Sequence, residues 1–198
     1  IHSEFPSDEF VQAVDAELHS LELKPRFGLI ADKLKNYLPD DYPQAVEILV
    51  KILDSPSHQF EHIEDIGFRL LSIPTFIEKY GVEYFDASMD AMYIVTRYTS
   101  CEFAIRPFIM AYPKQTLSKL HLWVSDDNEH VRRLVSEGTR PRLPWAPQLP
   151  DFISDPSPTL EILQHLKDDP SLYVRRSVAN HLNDITKDHP VRVLDTLE

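Results

Sequence analysis

DDNEHVRRLVSEGTRPRLPW, residues 126–145, decides how the rest of the chain is read. Val131, Leu134, Val135 and Gly138 recur at helical spacing on one side, and Arg133, Glu137 and Arg140 fall at i, i+4 and i+7 on another. Asp126 and Asp127 stand just ahead, where acids cap free N–H groups and favour the positive end of the helix dipole. Pro141 and Pro144 forbid continuation. The spacing predicts a short amphipathic helix with a mixed-charge face. A carboxylate between two guanidiniums on one stripe is either a plain surface ion-pair ladder or a site.

The pattern recurs. DDPSLYVRRSVAN, from Asp168, repeats the acidic start and the VRR core, and the step from Val131 to Val174 is 43 residues. That step lies inside the roughly 40–47-residue period of HEAT-type helix pairs. In this register Arg133 matches Arg176 and Glu137 matches Asn180, with Asp184 one turn further along the second stripe. Stacked pairs hide their apolar faces on one another, so equivalent polar stripes line one concave surface. TSCEFAIRPFI (99–109) reads as a looser third copy, with Glu102 and Arg106 on one helical face at i, i+4.

Composition agrees with an all-α chain. With 198 residues, 42% of them hydrophobic, residues 1–198 make one globular domain or a compact solenoid able to bury a core. Only 4 residues are Gly, and the 16 Pro fall mostly between apolar-periodic segments, as short helices with sharp stops require. Helices are expected over 4–23, 26–38, 41–53, 58–71, 75–80, 85–98, 117–124, in the segments between Phe152 and Leu166, and from 191 onward. A single cysteine, Cys101, excludes an internal disulfide or a multi-Cys zinc site and fits a reducing cytoplasm. No apolar run reaches the roughly 18–20 residues of a membrane span, and no signal peptide is expected. HQFEH (58–62) puts His58 and His62 at i, i+4 but lacks a Glu after the first His, so no metal and no other cofactor is expected.

The net charge of −12 is unevenly spread. Residues 1–95 hold 7 Lys/Arg and 18 Asp/Glu, whereas residues 96–198 hold 13 and 14. Phosphate binding needs only a local basic stripe, so DNA is an admissible partner, bound weakly and with steep salt dependence.

SEGTRPRLPW (136–145), followed by SLYVRRSVANHLNDITKDHP (171–190), resembles the AlkC branch of the AlkC/AlkD DNA alkylation repair glycosylases. LHSLELKPRFGLIADKL (18–34) and CEFAIRPF (101–108) are also similar to segments of that family, so the resemblance covers most of the chain. It implies a right-handed HEAT-like (ARM-type) solenoid of antiparallel helix pairs with a concave DNA-binding face. It implies a monomer acting on alkylated double-stranded DNA, in the cytoplasm at the nucleoid, that hydrolyses the N-glycosidic bond of cationic N3-methylated bases, chiefly 3-methyladenine. Three acids would carry the site: Glu102 of CEFAIRPF, Glu137 of SEGTRPRLPW and Asp184 of HLNDITKDHP. The immunoglobulin-like module that many members carry after the solenoid is expected to be absent, since too little chain follows Asp188 to form it.

Around the acids, Arg106, Arg133, Arg140, Arg142, Arg176, Asn180 and Lys187 are candidate DNA contacts. A planar guanidinium suits phosphate oxygens, yet Arg133, Arg140, Arg142 and Arg176 could equally pair with Asp126, Asp127, Asp168 and Asp169. Arg132 and Arg175, one position off the stripe, are read as structural. Trp145 is either a core anchor or a stacking face for sugar or base, and Trp123 is read as core. The rival to the enzyme is a non-catalytic HEAT module that holds DNA structures or a protein partner; a plain scaffold would bind no DNA even at low salt.

Overall fold

The computed structural model describes residues 5–53 and 69–197. The HQFEH stretch and most of the helix expected over 58–71 lie outside the described residues. Among those described, the secondary structure is entirely helical, in two compact units, Ile1–Ser100 and Cys101–Glu198. No described helix is long and apolar enough to cross a membrane.

The first unit contains α1 (Ser7–Leu18), α2 (Leu23–Tyr37), α3 (Tyr42–Leu53), a short 3-10 turn (Arg69–Leu71), α4 (Ser72–Tyr80) and α5 (Phe85–Val95). Helix α1 packs on α2, α2 on α4 and α3 on α5. Their shared core includes Phe76, Ile77, Met89 and Met92, all buried. Tyr42 ties α3 into it: its hydroxyl lies 2.8 Å from Ser88 Oγ, and its ring stacks on Phe76 and Tyr84.

The second unit contains α6 (Arg106–Ala111), α7 (Pro113–Trp123), α8 (Glu129–Gly138), α9 (Pro150–Ser154), α10 (Ser157–Leu166), α11 (Leu172–Thr186) and α12 (Pro190–Leu197). Helix α8 lies along α11, and α10 packs on both. Val131, Leu134 and Val135 of α8 meet Val174, Val178 and Ile185 of α11 in a core completed by Ile162, Leu163 and Leu166, all buried.

The 43-residue register is a repeated local structure. Asn128 caps α8 by accepting the His130 N–H at 2.9 Å, and Ser171 caps α11 by accepting the Tyr173 N–H at 3.2 Å. Arg132 donates back to the Asp126 and Asp127 carbonyls at 2.7 and 3.1 Å, and Arg175 donates likewise to those of Asp169 and Pro170. Both arginines are structural, as their off-stripe positions suggest. Arg132 also grips Asp169 through Nε at 2.6 Å and Nη2 at 3.0 Å, which joins one copy to the next.

Prolines moved several helix boundaries. Pro107, Pro113, Pro150 and Pro158 occupy first turns, where the missing N–H costs nothing and the fixed φ favours entry. So α7 begins at Pro113 rather than at 117, and Pro74 sits inside the first turn of α4 instead of preceding a helix. The expected shared helical face of Glu102 and Arg106 is corrected for the same reason. Pro107 opens α6 at Arg106, leaving Glu102 in the turn just before it.

Candidate active site

Three segments of the second unit converge: the turn bearing Glu102, the end of α8 bearing Glu137, and the last turns of α11 bearing Asp184. Acid and cation alternate through the cluster. Arg133 Nη1 donates to Glu102 at 2.6 Å and places Nη2 3.8 Å from Glu137. Arg140 donates from Nη1 to Glu137 at 2.7 Å and from Nε to Asp184 at 2.9 Å. Lys187 then approaches the other Asp184 oxygen at 3.2 Å. Glu137 is 6% exposed and Asp184 3%, so these pairs are held within the protein rather than spread over a solvated face.

Burial disfavours the charge on Arg140, but hydrogen bonds to Asp184 and Glu137 outweigh it and raise its pKa. Arg133 behaves alike: burial opposes its charge, and Glu102 foremost restores it. Tyr173 covers Arg133, with the guanidinium carbon 4.9 Å from its ring centre. The other Glu137 oxygen accepts the Ser177 hydroxyl at 2.6 Å.

Gly138 permits the convergence. A Cβ there would stand 2.6 Å from Ile105 Cγ2, so glycine lets the end of α8 approach the turn that carries Glu102. Beyond it the chain makes a loop, 139–149, closed by Ala146 N–H to Leu143 O at 3.3 Å and Leu149 N–H to Pro141 O at 3.1 Å. Pro144 and Trp145 are the central residues of the tighter turn. Trp145 has φ 64°, a conformation that ordinarily selects glycine, and its side chain is 76% exposed.

A profile of the family described as DNA alkylation repair enzyme matches residues 94–198, which hold every residue of this cluster. The chain belongs to that family. It is 43% identical to the Pseudomonas fluorescens alkylpurine DNA glycosylase AlkC, solved bound to DNA containing an abasic site analog; the match has a TM-score of 0.88 and covers 98% of this chain and 52% of that one. It is also 41% identical over 190 residues to the uncharacterized protein YhaZ of Bacillus subtilis (strain 168), covering 96% of this chain and 51% of YhaZ. The chain thus spans about half the length of the relatives it matches. Its fold is the helical-repeat fold of this family.

Within that fold the sequence-derived candidates separate into three groups. Glu102, Glu137 and Asp184 come together, with Arg133 and Arg140 between them as partners. Arg142 pairs with Asp188 at 2.9 Å, while Arg176, Asn180 and Lys187 lie exposed on α11 or just past its end. Arg106 departs from its expected place at the DNA. It is 1% exposed, and its guanidinium is consumed by backbone carbonyls, which leaves no surface for a phosphate. Of the two tryptophans, Trp123 is in the core and Trp145 is not.

Sequence reasoning missed Ser177 and His181. His181 is fully buried, with Nδ1 3.0 Å from the Ser136 carbonyl, and burial pulls its pKa down to about 3, so the ring is neutral and Nδ1–H donates. A signal for both was present. In the 43-residue register Ser177 matches Leu134 and His181 matches Gly138, and polar residues at two core positions mark a place where the core does something besides pack.

Proposed function

We propose that the protein is a DNA glycosylase that hydrolyses the N-glycosidic bond of cationic N3-methylated bases, 3-methyladenine foremost, in duplex DNA. The observation that carries this reading is the joint placement of Glu102, Glu137 and Asp184 on shared guanidiniums in a chain of the DNA alkylation repair enzyme family. Methylation at N3 makes the base a cationic leaving group that needs no protonation. Positive charge develops on the sugar instead, and a carboxylate near C1′ both stabilises it and holds the attacking water. At about 4 Å and an effective dielectric near 20, one such attraction is on the order of 4 kcal/mol, roughly a thousandfold in rate. That is useful for a bond already weakened by alkylation and inadequate for a normal nucleotide, which gives selectivity for damage.

Glu137 and Asp184 take the electrostatic and water-positioning roles, and Glu102 orients them or meets the cationic base. Glu137 has both oxygens engaged, by Arg140 and by Ser177, and acts as a fixed charge. One Asp184 oxygen faces only Lys187 among the described partners, and that side chain is 54% exposed. A DNA phosphate that draws Lys187 away opens this oxygen to water. It also leaves the cluster with three acids against two cations. Arg176, Arg142 and Asn180 supply further phosphate contacts and Trp145 a stacking face, in a monomer that works on alkylated double-stranded DNA in the cytoplasm.

The test is release of 3-methyladenine from methylated duplex DNA at low salt by the wild type and by Glu137→Gln. Release by the wild type, slowed about a thousandfold in a variant that still folds and binds DNA, is the expected result. DNA binding by the wild type without base release would make the protein a binding module and end the enzyme reading.

A further inference from the structure

Among the described residues of the second unit Arg106 is the largest fully buried side chain, and none of its described hydrogen-bond partners is a carboxylate. Its guanidinium instead collects three backbone carbonyls. Nη1 donates to Gly138 O at 3.1 Å and Arg140 O at 2.8 Å, while Nε and Nη2 donate to Pro147 O at 3.0 and 2.5 Å. The first two carbonyls lie where the chain leaves α8, next to Glu137 and Arg140. The third lies on the far leg of loop 139–149, two residues past Trp145. Arg106 itself follows the Glu102 turn by four residues.

We propose that Arg106 is a positioning residue for base removal: one buried guanidinium ties both legs of loop 139–149 to the Glu102 segment and so fixes where Trp145 stands. The inference rests on the glycosylase reading for its effect on rate, though not for its geometry. A left-handed, mostly exposed tryptophan costs on the order of 1–3 kcal/mol in backbone strain and persists only where its surroundings over-determine it. Arg106 supplies that constraint from within. Lysine cannot replace it, because an ammonium lacks the planar fork that reaches both legs at once.

The test is a double-mutant cycle of Arg106→Lys and Trp145→Ala, read as the single-turnover rate of 3-methyladenine release at saturating protein and as the melting midpoint. Arg106→Lys should slow the wild-type background at least tenfold and the Trp145→Ala background less than threefold, with the same fall in melting midpoint in both. Equal slowing in the two backgrounds would overturn the proposal, because Arg106 would then act on stability or on the acids alone. If the wild type releases no base, the function is at fault and the placement is read separately. With 5-fluorotryptophan incorporated, Arg106→Lys should move or broaden the Trp145 fluorine signal and spare that of Trp123; an unmoved Trp145 signal counts against it. Should Arg106→Lys not fold, amide exchange in the unaltered protein decides. Protected Ala146 and Leu149 amides support the clamp, and exchange at unstructured-chain rates refutes it.

Discussion

Trp145 and His181 each carry a stability consequence set by their immediate surroundings. Trp145 keeps φ 64° while burying little of its ring, so Trp145→Gly removes strain and loses little packing. That variant should be more stable by about 1 kcal/mol in urea titration and should slow base release without abolishing it, the usual opposition of stability and activity at a strained site. A stability loss of similar size would mean that the ring packs more tightly than its exposure implies. For His181 the sign follows from linkage. Its pKa is near 6.5 in the unfolded chain and is lowered to about 3 by burial in the native one, so between these values the unfolded state binds a proton that the native state refuses. The stability contribution is complete above 6.5 and is lost as pH falls toward 3. Between pH 6.5 and pH 5 the loss should be about 2 kcal/mol, and His181→Gln should flatten that stretch of the stability curve. An unchanged slope in the variant would show that other groups carry it.

Between elements, ion pairs differ in worth according to where they sit. Arg132 and Asp169 join the two copies of the repeat, and the Asp169 side chain is almost wholly buried while also accepting the Ser171 N–H at 2.8 Å. Removing it leaves the half-buried Arg132 guanidinium only its carbonyl partners and takes away a buried carboxylate that also caps α11's approach, so Asp169→Ala should cost about 3 kcal/mol of unfolding free energy. Arg142 and Asp188 are both partly in solvent, and Asp188→Ala should cost less than about 1 kcal/mol. Equal denaturant midpoints for the two variants would refute this ranking. The same elements show what a sequence discloses. The two copies were legible because an acidic start and a VRR core repeat at one local spacing; that Asn128 and Ser171, not the aspartates, cap the helices was visible only in the structure. The start of α6 was misjudged because the i, i+4 relation of Glu102 and Arg106 outweighed Pro107, whose ring chemistry places the helix entry.

Across the molecule, charge bears on partner choice. Nearly all the acidic excess lies in residues 1–95, and residues 96–198 are close to neutral. On the proposed reading, attraction to duplex DNA rests on a few cations, and log K should fall with log salt by about 0.9 for each phosphate they contact. Among the described residues Arg176 has no ion-pair partner, whereas Arg133 and Arg140 are committed to acids. Arg176→Ala should therefore weaken duplex binding uniformly across sequences and reduce the salt slope by about 1. A slope identical to that of the wild type would remove Arg176 from the phosphate contacts.

By itself the sequence determined the helical class and the 43-residue period, because these are carried by local spacing, whereas the grouping of the three acids followed from the resemblance of short motifs to a known family. Only the tertiary structure decided what each cation does. Arg106, Arg133, Arg140 and Arg176 all looked alike as basic residues near acids, yet the first holds carbonyls, the next two hold carboxylates and the last faces solvent. Periodicity assigns a side chain to a face of its own helix. Its partner is set by segments some 30–45 residues away, such as Glu102 for Arg133 and Asp184 for Arg140, and by which of them leaves room for a guanidinium to lie flat.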